Sequence, residues 1–424
     1  MKKLSEPTAK QIYLWNIAGT VLNAMLTVLL LMFVFAFLSD EDGDTFSIAW
    51  SFGMQAVTIG IFQIRLYQAT DTLEKYSFRQ YAIVRVITVA AMMLYSAVYV
   101  IYMEYSAYKA WVVILVCLSR AVDAFSDLYQ GWYQQKQRLD LAGKALAAHA
   151  VASVIAFALG LYCFRELLVS CALMLAGHLV VFALFDYRYF RYMRQSFSID
   201  GALQRTGGKG SFVASMLAAC LPLFLNAYII MDVFNKPKFA IDAAISRGIF
   251  PDGSQKIYNI LFLAASVLNL AFFMFRPLVT ELALKWNAGD RAGFFGIIRR
   301  IGMILTVFVV VLYAGGWFLG CPVLSLLYST DLSRYRGVLM IVITGGIFNT
   351  FMYLMDNAVT VIRRQSLLLI PYLITWAYTQ LTAESFVLGY GLLGAAVSFA
   401  SSMLLLLVCT TVIFFLSLRT VKKA

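Results

Sequence analysis

FQIRLYQATDTLEKYSFRQYAIVRVIT, residues 62–88, closes one apolar segment at Arg65 and opens the next around Arg85. Half a chain later the same order returns: FMFR (273–276) ends a segment at Arg276, and FGIIRRI (295–301) begins the following one around Arg299. A third pair keeps step with these, YQQKQR (133–138) and TVIRRQ (360–365), each at the end of an apolar run. Aromatic residues beside basic ones are ordinary membrane-interface anchors, so any one match is weak. Three matches in one order predict an internal duplication. With an even number of spans in each half, the two copies run parallel and are related by an axis along the membrane normal.

Composition places those segments in lipid. Of the 424 residues, 62% are hydrophobic and 13% charged, and the mean hydropathy is +0.79. Globular proteins are about a quarter charged. A membrane helix takes about 20 apolar residues, and twelve segments of that length are readable, among them 46–66, 108–133, 211–234 and 337–361. The expected fold is all-α and integral to the membrane, with twelve transmembrane helices in two six-helix lobes and a pseudo-two-fold along the membrane normal. The lobes span 1–195 and 211–424, joined by a cytoplasmic Gly- and Ser-rich linker at 196–210, SFSIDGALQRTGGKG. Its GGKG is no phosphate loop, because the GxxxxGK[ST] spacing is absent and no strand precedes it. So little sequence lies outside the spans that a soluble catalytic domain is excluded, and the longest expected outer loop, Asn235 to Lys256, carries no catalytic motif.

The net charge of +12 fits cytoplasmic loops facing anionic lipid better than a nucleic-acid partner. With the N-terminus inside, most Lys and Arg fall on inner loops, and the first outer loop, SDEDGD (39–44), holds only acids. Both termini are therefore expected in the cytoplasm, and the first apolar segment reads as an uncleaved span. Six scattered Cys without CxxC or a nearby His imply neither a metal site nor a disulfide framework.

The fourth segment is the least apolar. Arg120, Asp123, Asp127 and Gln134 fall within about 60° of one another on a helical wheel, and Arg120 lies near the bilayer midplane. A charge there costs about 2.5–3.5 kcal/mol on insertion scales, so the stripe must face protein or water. One account is an Arg120–Asp123 pair that locks the helix. The other is a polar cavity wall, with Arg120 offered to an anionic ligand and the two acids holding the guanidinium or taking a coupling cation. Arg65, Arg85 and Arg276 sit at expected cytoplasmic helix ends, as positive-inside anchors or as a basic surface for a phosphate headgroup. Asn226 and Asp232 in the seventh span, and Asp356 and Asn357 in the tenth, are polar cavity or coupling candidates whose simpler role is helix–helix hydrogen bonding. Pro222 is expected to kink the seventh span. His149 and His178 stand alone in apolar context and are assigned to packing.

FQIRLYQATDTLEKYSFRQYAIVRVIT, GWYQQKQRLDLAGK (131–144), NKPKFAID (235–242), FRPLVTELALKWNAGD (275–290) and IRRQ (362–365) together resemble the polysaccharide-transport branch of the multidrug/oligosaccharidyl-lipid/polysaccharide exporter superfamily. The likeness is nearest to lipid-linked oligosaccharide repeat-unit flippases. It implies alternating access around a central cavity in the bacterial cytoplasmic membrane, with no cofactor, and basic cavity residues that meet a pyrophosphate. The implied substrate is an undecaprenyl-pyrophosphate-linked glycan for capsule, O-antigen or other surface polysaccharide, and the implied partners are membrane lipids and a glycan polymerase. Drug-exporting relatives often carry a coupling carboxylate in the first span, where this chain offers only Asn16 and Asn23. A cation-coupled small-molecule exporter of the same fold is the alternative, kept open by Asp123, Asp127, Asp232 and Asp356. An enzyme is not expected.

Overall fold

The computed structural model describes residues 7–71, 74–195, 211–272 and 276–421, and leaves aside the side chains of 9, 70, 211, 266–280, 420 and 421. The helices in order are α1 (Ala9–Phe37), α2 (Asp40–Ile61), α3 (Ile64–Thr70), α4 (Phe78–Tyr102), α5 (Ala107–Gln135), α6 (Leu139–Phe164), α7 (Leu167–Val181), α8 (Arg188–Met193), α9 (Ser211–Ser246), α10 (Ser254–Phe272), α11 (Arg276–Asn287), α12 (Arg291–Gly315), α13 (Cys321–Tyr328), α14 (Arg336–Val361) and α15 (Leu369–Val421). A π-helical turn at Phe182–Tyr187 joins α7 to α8, and another at Gly316–Gly320 joins α12 to α13. α15 is broken at Gly391, whose φ of 62° and ψ of −141° no L side chain adopts readily. Among the described residues this yields twelve long helical segments, with no strand. With α15 taken whole, eight helices are long and apolar enough to cross a membrane by length and composition. α5 is not one of them, because its stripe of charges lowers its hydropathy.

The helix ends correct several expected boundaries. α2 begins at Asp40, six residues before the expected span at 46, because SDEDGD is a cap and not a loop. Ser39 accepts the Asp42 N–H, and Asp40, Glu41 and Asp42 oppose the positive end of the helix dipole. FQIR does not continue α2 into a basic end. Phe62 and Gln63 both take left-handed conformations (φ 46° and 54°) and start the separate helix α3. α9 stays helical across Pro222 and on to Ser246, so the outer loop expected from Asn235 to Lys256 shrinks to the turn before Ser254.

Packing divides the chain into two compact units, residues up to Tyr228 and residues from Ile229 onward. The expected linker at 196–210 lies outside the described residues. Within α9, Phe212, Met216 and Cys220 pack on Ile64, Tyr81, Val84 and Leu128, which assigns the beginning of that helix to the first unit. There the most extensive pair is α1 with α6, brought close where Gly19 and Gly143 meet backbone to backbone. α2, α4, α6 and α7 surround α5.

In the second unit α14 packs on α15 and α10. Val307, Val310, Val311 and Phe318 stand exposed on α12 and the turn after it, as side chains facing lipid do. At the start of α12, Asp290 accepts the Gly293 N–H at 2.7 Å and the Lys285 ammonium at 2.9 Å. These two donors hold its carboxyl below the usual range.

Candidate functional site

The α5 stripe is the spine of a polar chain through the first unit. Arg120 donates from Nη1 to Asp123 Oδ2 at 2.7 Å, and its guanidinium lies 4.0 Å from the centre of the Trp50 ring on α2. That ring is held in turn by its N–H, which donates to Thr27 Oγ1 on α1 at 3.1 Å. Arg120 is buried, and its Nε has no hydrogen-bond partner.

One turn further on, Asp127 does a different job. It accepts Arg85 Nη2 at 2.8 Å and Arg65 Nη1 at 3.4 Å. Arg85 has no exposed surface, so it is no interface anchor. Its Nη1 donates to the Gly60 carbonyl at 2.6 Å, which Thr88 Oγ1 also meets at 2.8 Å. That carbonyl is free because the left-handed pair Phe62–Gln63 ends α2 and removes its usual acceptor role within the helix. A buried cation at a helix C-terminus satisfies both the orphan carbonyl and the dipole. Arg65 also donates to Gln130 Oε1 at 2.9 Å and Gln134 Oε1 at 3.3 Å. Arg65, Arg85, Asp127 and Gln134 thus form one cluster from two groups that the sequence offered separately, the α5 stripe and the helix-end arginines.

From Gln130 the chain continues inward. Gln130 donates to Ser126 Oγ at 2.9 Å, and Ser126 donates to Asp186 Oδ1 at 2.8 Å. Asp186 lies on the π-helical turn after α7, where one extra residue per turn re-aims the side chain, and Tyr133 donates to its backbone carbonyl at 2.5 Å. Its other oxygen is 2.7 Å from His149 Nε2. His149 Nδ1 is 3.3 Å from His178 Nδ1, which lies 3.1 Å from Asp123 Oδ1. The chain so returns to Arg120. The two histidines are therefore not the isolated packing residues expected: they are buried polar links across α6 and α7, and with Asp186 they join the candidate site although the sequence reading did not nominate them.

In α9, Asn226 Oδ1 is buried without a partner, while Asp232 accepts Trp376 Nε1 at 2.8 Å and Gln380 Nε2 at 2.5 Å from α15. Asp356 Oδ1 on α14 is buried without a partner. Asn357 turns back to the Tyr353 carbonyl of its own helix. The Arg276 side chain lies outside the described residues. Lys238, expected in an outer loop, is instead buried in α9 with its ammonium 4.1 Å from the Phe262 ring centre, and no carboxylate pairs with it among the described residues. A cavity of about 480 Å³ in the second unit, lined by Arg334, Tyr335, Tyr390 and Leu393 beside the Gly391 break, includes none of the nominated residues.

No protein-family model and no curated protein matches the chain. Solved structures do. A MATE in complex with MaD3S superposes with a TM-score of 0.65 at 11% identity, over 98% of this chain and 96% of that one. A mutant of the Vibrio cholerae MATE transporter VcmN gives 0.62 at 14% identity, over 97% of each chain. Structures described as a multidrug resistance MATE family transporter of the MOP superfamily align in an outward-facing conformation (0.60, 12% identity, 99% of each chain) and in an inward-facing one (0.59, 13% identity, 100% of this chain and 97% of that one). The chain has the MATE fold over its whole length, that of a multi-pass, all-helical membrane protein.

Proposed function

We propose that the chain is a membrane exporter working by alternating access, and that its substrate is an oligosaccharide carried on undecaprenyl pyrophosphate. The fold supports the first part, since it is shared with transporters captured both outward-facing and inward-facing. One observation carries the second: two buried guanidinium nitrogens in the first unit have no acceptor. Asp123, Asp127 and Asp186 are each held by a guanidinium, an imidazole or a hydroxyl, whereas the Nε donors of Arg85 and Arg120 are buried and unanswered. Buried donors without acceptors are costly unless a ligand supplies them, and a pyrophosphate is rich in acceptors.

The test is translocation in proteoliposomes of a lipid carrying a pyrophosphate-linked oligosaccharide. Arg120→Ala removes a charge-assisted contact of about 1.5–3 kcal/mol, so transport at limiting substrate is expected to fall roughly 10- to 100-fold. Arg120→Lys should recover only part, because the planar fork is lost. Undiminished transport by monodisperse Arg120→Ala protein would overturn the reading.

A second reading, a cation-coupled exporter of small molecules, is favoured by the multidrug transporters that share the fold and by the unpartnered Asp356 Oδ1. It expects Asp356→Asn to abolish efflux of a cationic dye from the same vesicles. The glycan reading expects no dye efflux by either protein.

A further inference from the structure

The hydrogen bonds around His149 and His178 decide which of their ring nitrogens carry protons. Ser153 Oγ lies 2.6 Å from the His149 carbonyl and 2.6 Å from His178 Nε2. A carbonyl only accepts, so the one hydroxyl proton of Ser153 goes there. The short contact to His178 then needs a proton on Nε2. On the other ring, Nε2 faces the Asp186 carboxylate at 2.7 Å and must donate. In their neutral forms both imidazoles therefore carry the proton on Nε2 and turn a bare Nδ1 lone pair inward. These two lone pairs face each other across 3.3 Å, with a carboxylate oxygen of Asp123 3.1 Å from His178 Nδ1. Three electron-rich atoms converging in a buried site repel one another unless a cation lies between them.

We propose that His149 Nδ1, His178 Nδ1 and Asp123 Oδ1 bind a divalent transition-metal cation of the Zn²⁺ class. The three ligand atoms lie within 4.8 Å of one another. A tetrahedral ion with bonds of 2.0–2.1 Å spaces its ligands about 3.3–3.4 Å apart, and the spacings of 3.3 and 3.1 Å fall beside that value. The outer shell matches as well. Each ligating imidazole donates its remote N–H, one to a carboxylate and one to a hydroxyl, the arrangement that fixes ring orientation and raises ligand basicity at metal centres. Arg120 engages only Oδ2 of Asp123, leaving Oδ1 for the ion. Because the ligands come from α5, α6 and α7, an ion there ties three helices of the first unit together. The inference is independent of the transported substrate.

The test is metal uptake by tag-free protein in detergent at pH 8, titrated with Co²⁺ and then Zn²⁺. One equivalent of Co²⁺ is expected, with the visible bands of a four-coordinate site, displaced by one equivalent of Zn²⁺ and accompanied by a rise in Tm. His178→Gln should abolish stoichiometric uptake, and Asp186→Asn, which touches no metal, should weaken it roughly 10- to 100-fold. If the His178→Gln protein does not fold, X-ray absorption of the Zn²⁺-loaded parent decides, and two imidazole scatterers are required. Absence of stoichiometric metal in the parent, a site that takes only a proton, or equal uptake by folded His178→Gln protein would each overturn the proposal.

Discussion

Arg85→Ala is expected to destabilise the N-terminal unit by about 3–5 kcal/mol, the usual cost of removing one partner of a buried ion pair. Arg85 is fully enclosed and answers two groups at once, the Asp127 carboxylate at 2.8 Å and the Gly60 carbonyl at 2.6 Å. Alanine leaves the first with only Arg65 at 3.4 Å, and that side chain is 27% exposed. The helix end at Gly60 keeps only the Thr88 hydroxyl. For a unit of this size the loss corresponds to roughly 6–20 °C in Tm, measurable on purified protein in detergent. The cause is distinguishable from simple loss of packing. Arg85→Met combined with Asp127→Leu removes both charges while retaining volume, and should recover most of the loss, since apolar replacements of buried pairs are often neutral. A Tm for Arg85→Ala within 2 °C of the parent, or a double variant as unstable as the single, would refute this account.

That pair also shows where the sequence stops being legible. Twelve apolar segments could be read directly, because lipid demands length and hydropathy within each helix separately. Boundaries were less secure, since hydropathy discards the polar residues that build helix ends. SDEDGD was discarded as a loop although it caps α2, and Lys236 and Lys238 ended the expected seventh span although α9 runs past both. The Arg120–Asp123 contact was readable because it lies three residues apart on one helix. Asp127 was placed on the right face, but its partners come from α3 and α4, and a single sequence does not encode which distant side chains meet. One signal was available and unused: Asp186 is the only carboxylate in residues 167–187. A buried acid requires a partner, and the chain's two histidines lie on its own segment and on the one before it.

Gly143 offers the other large effect, and its sign can be tested against a control in the same protein. α1 and α6 approach so closely that a methyl group on Gly143 would lie 2.3 Å from the Trp15 carbonyl oxygen and 2.4 Å from its carbon. Both atoms are backbone, so no rotamer change relieves the clash and the helices must separate. Gly19 reinforces the constraint from the other side, where an added methyl would lie 2.5 Å from the Gly143 oxygen. Gly143→Ala is therefore expected to cost at least the 1–3 kcal/mol typical of overpacking, and Gly143→Leu to detach α1 from α6 in the folded protein. Gly296, in the middle of a turn of α12, has nothing within 4 Å of the place its methyl would take. There the same Gly→Ala change should raise stability by about 0.5–1 kcal/mol through helix propensity alone. Opposite shifts in Tm for the two alanine variants are the expected result. Equal shifts, or a stabilised Gly143→Ala protein, would mean that close backbone contact does not set the spacing of α1 and α6. In membranes, where hydrophobicity gives helices no preference for one another over lipid, such contact is what holds a pair together.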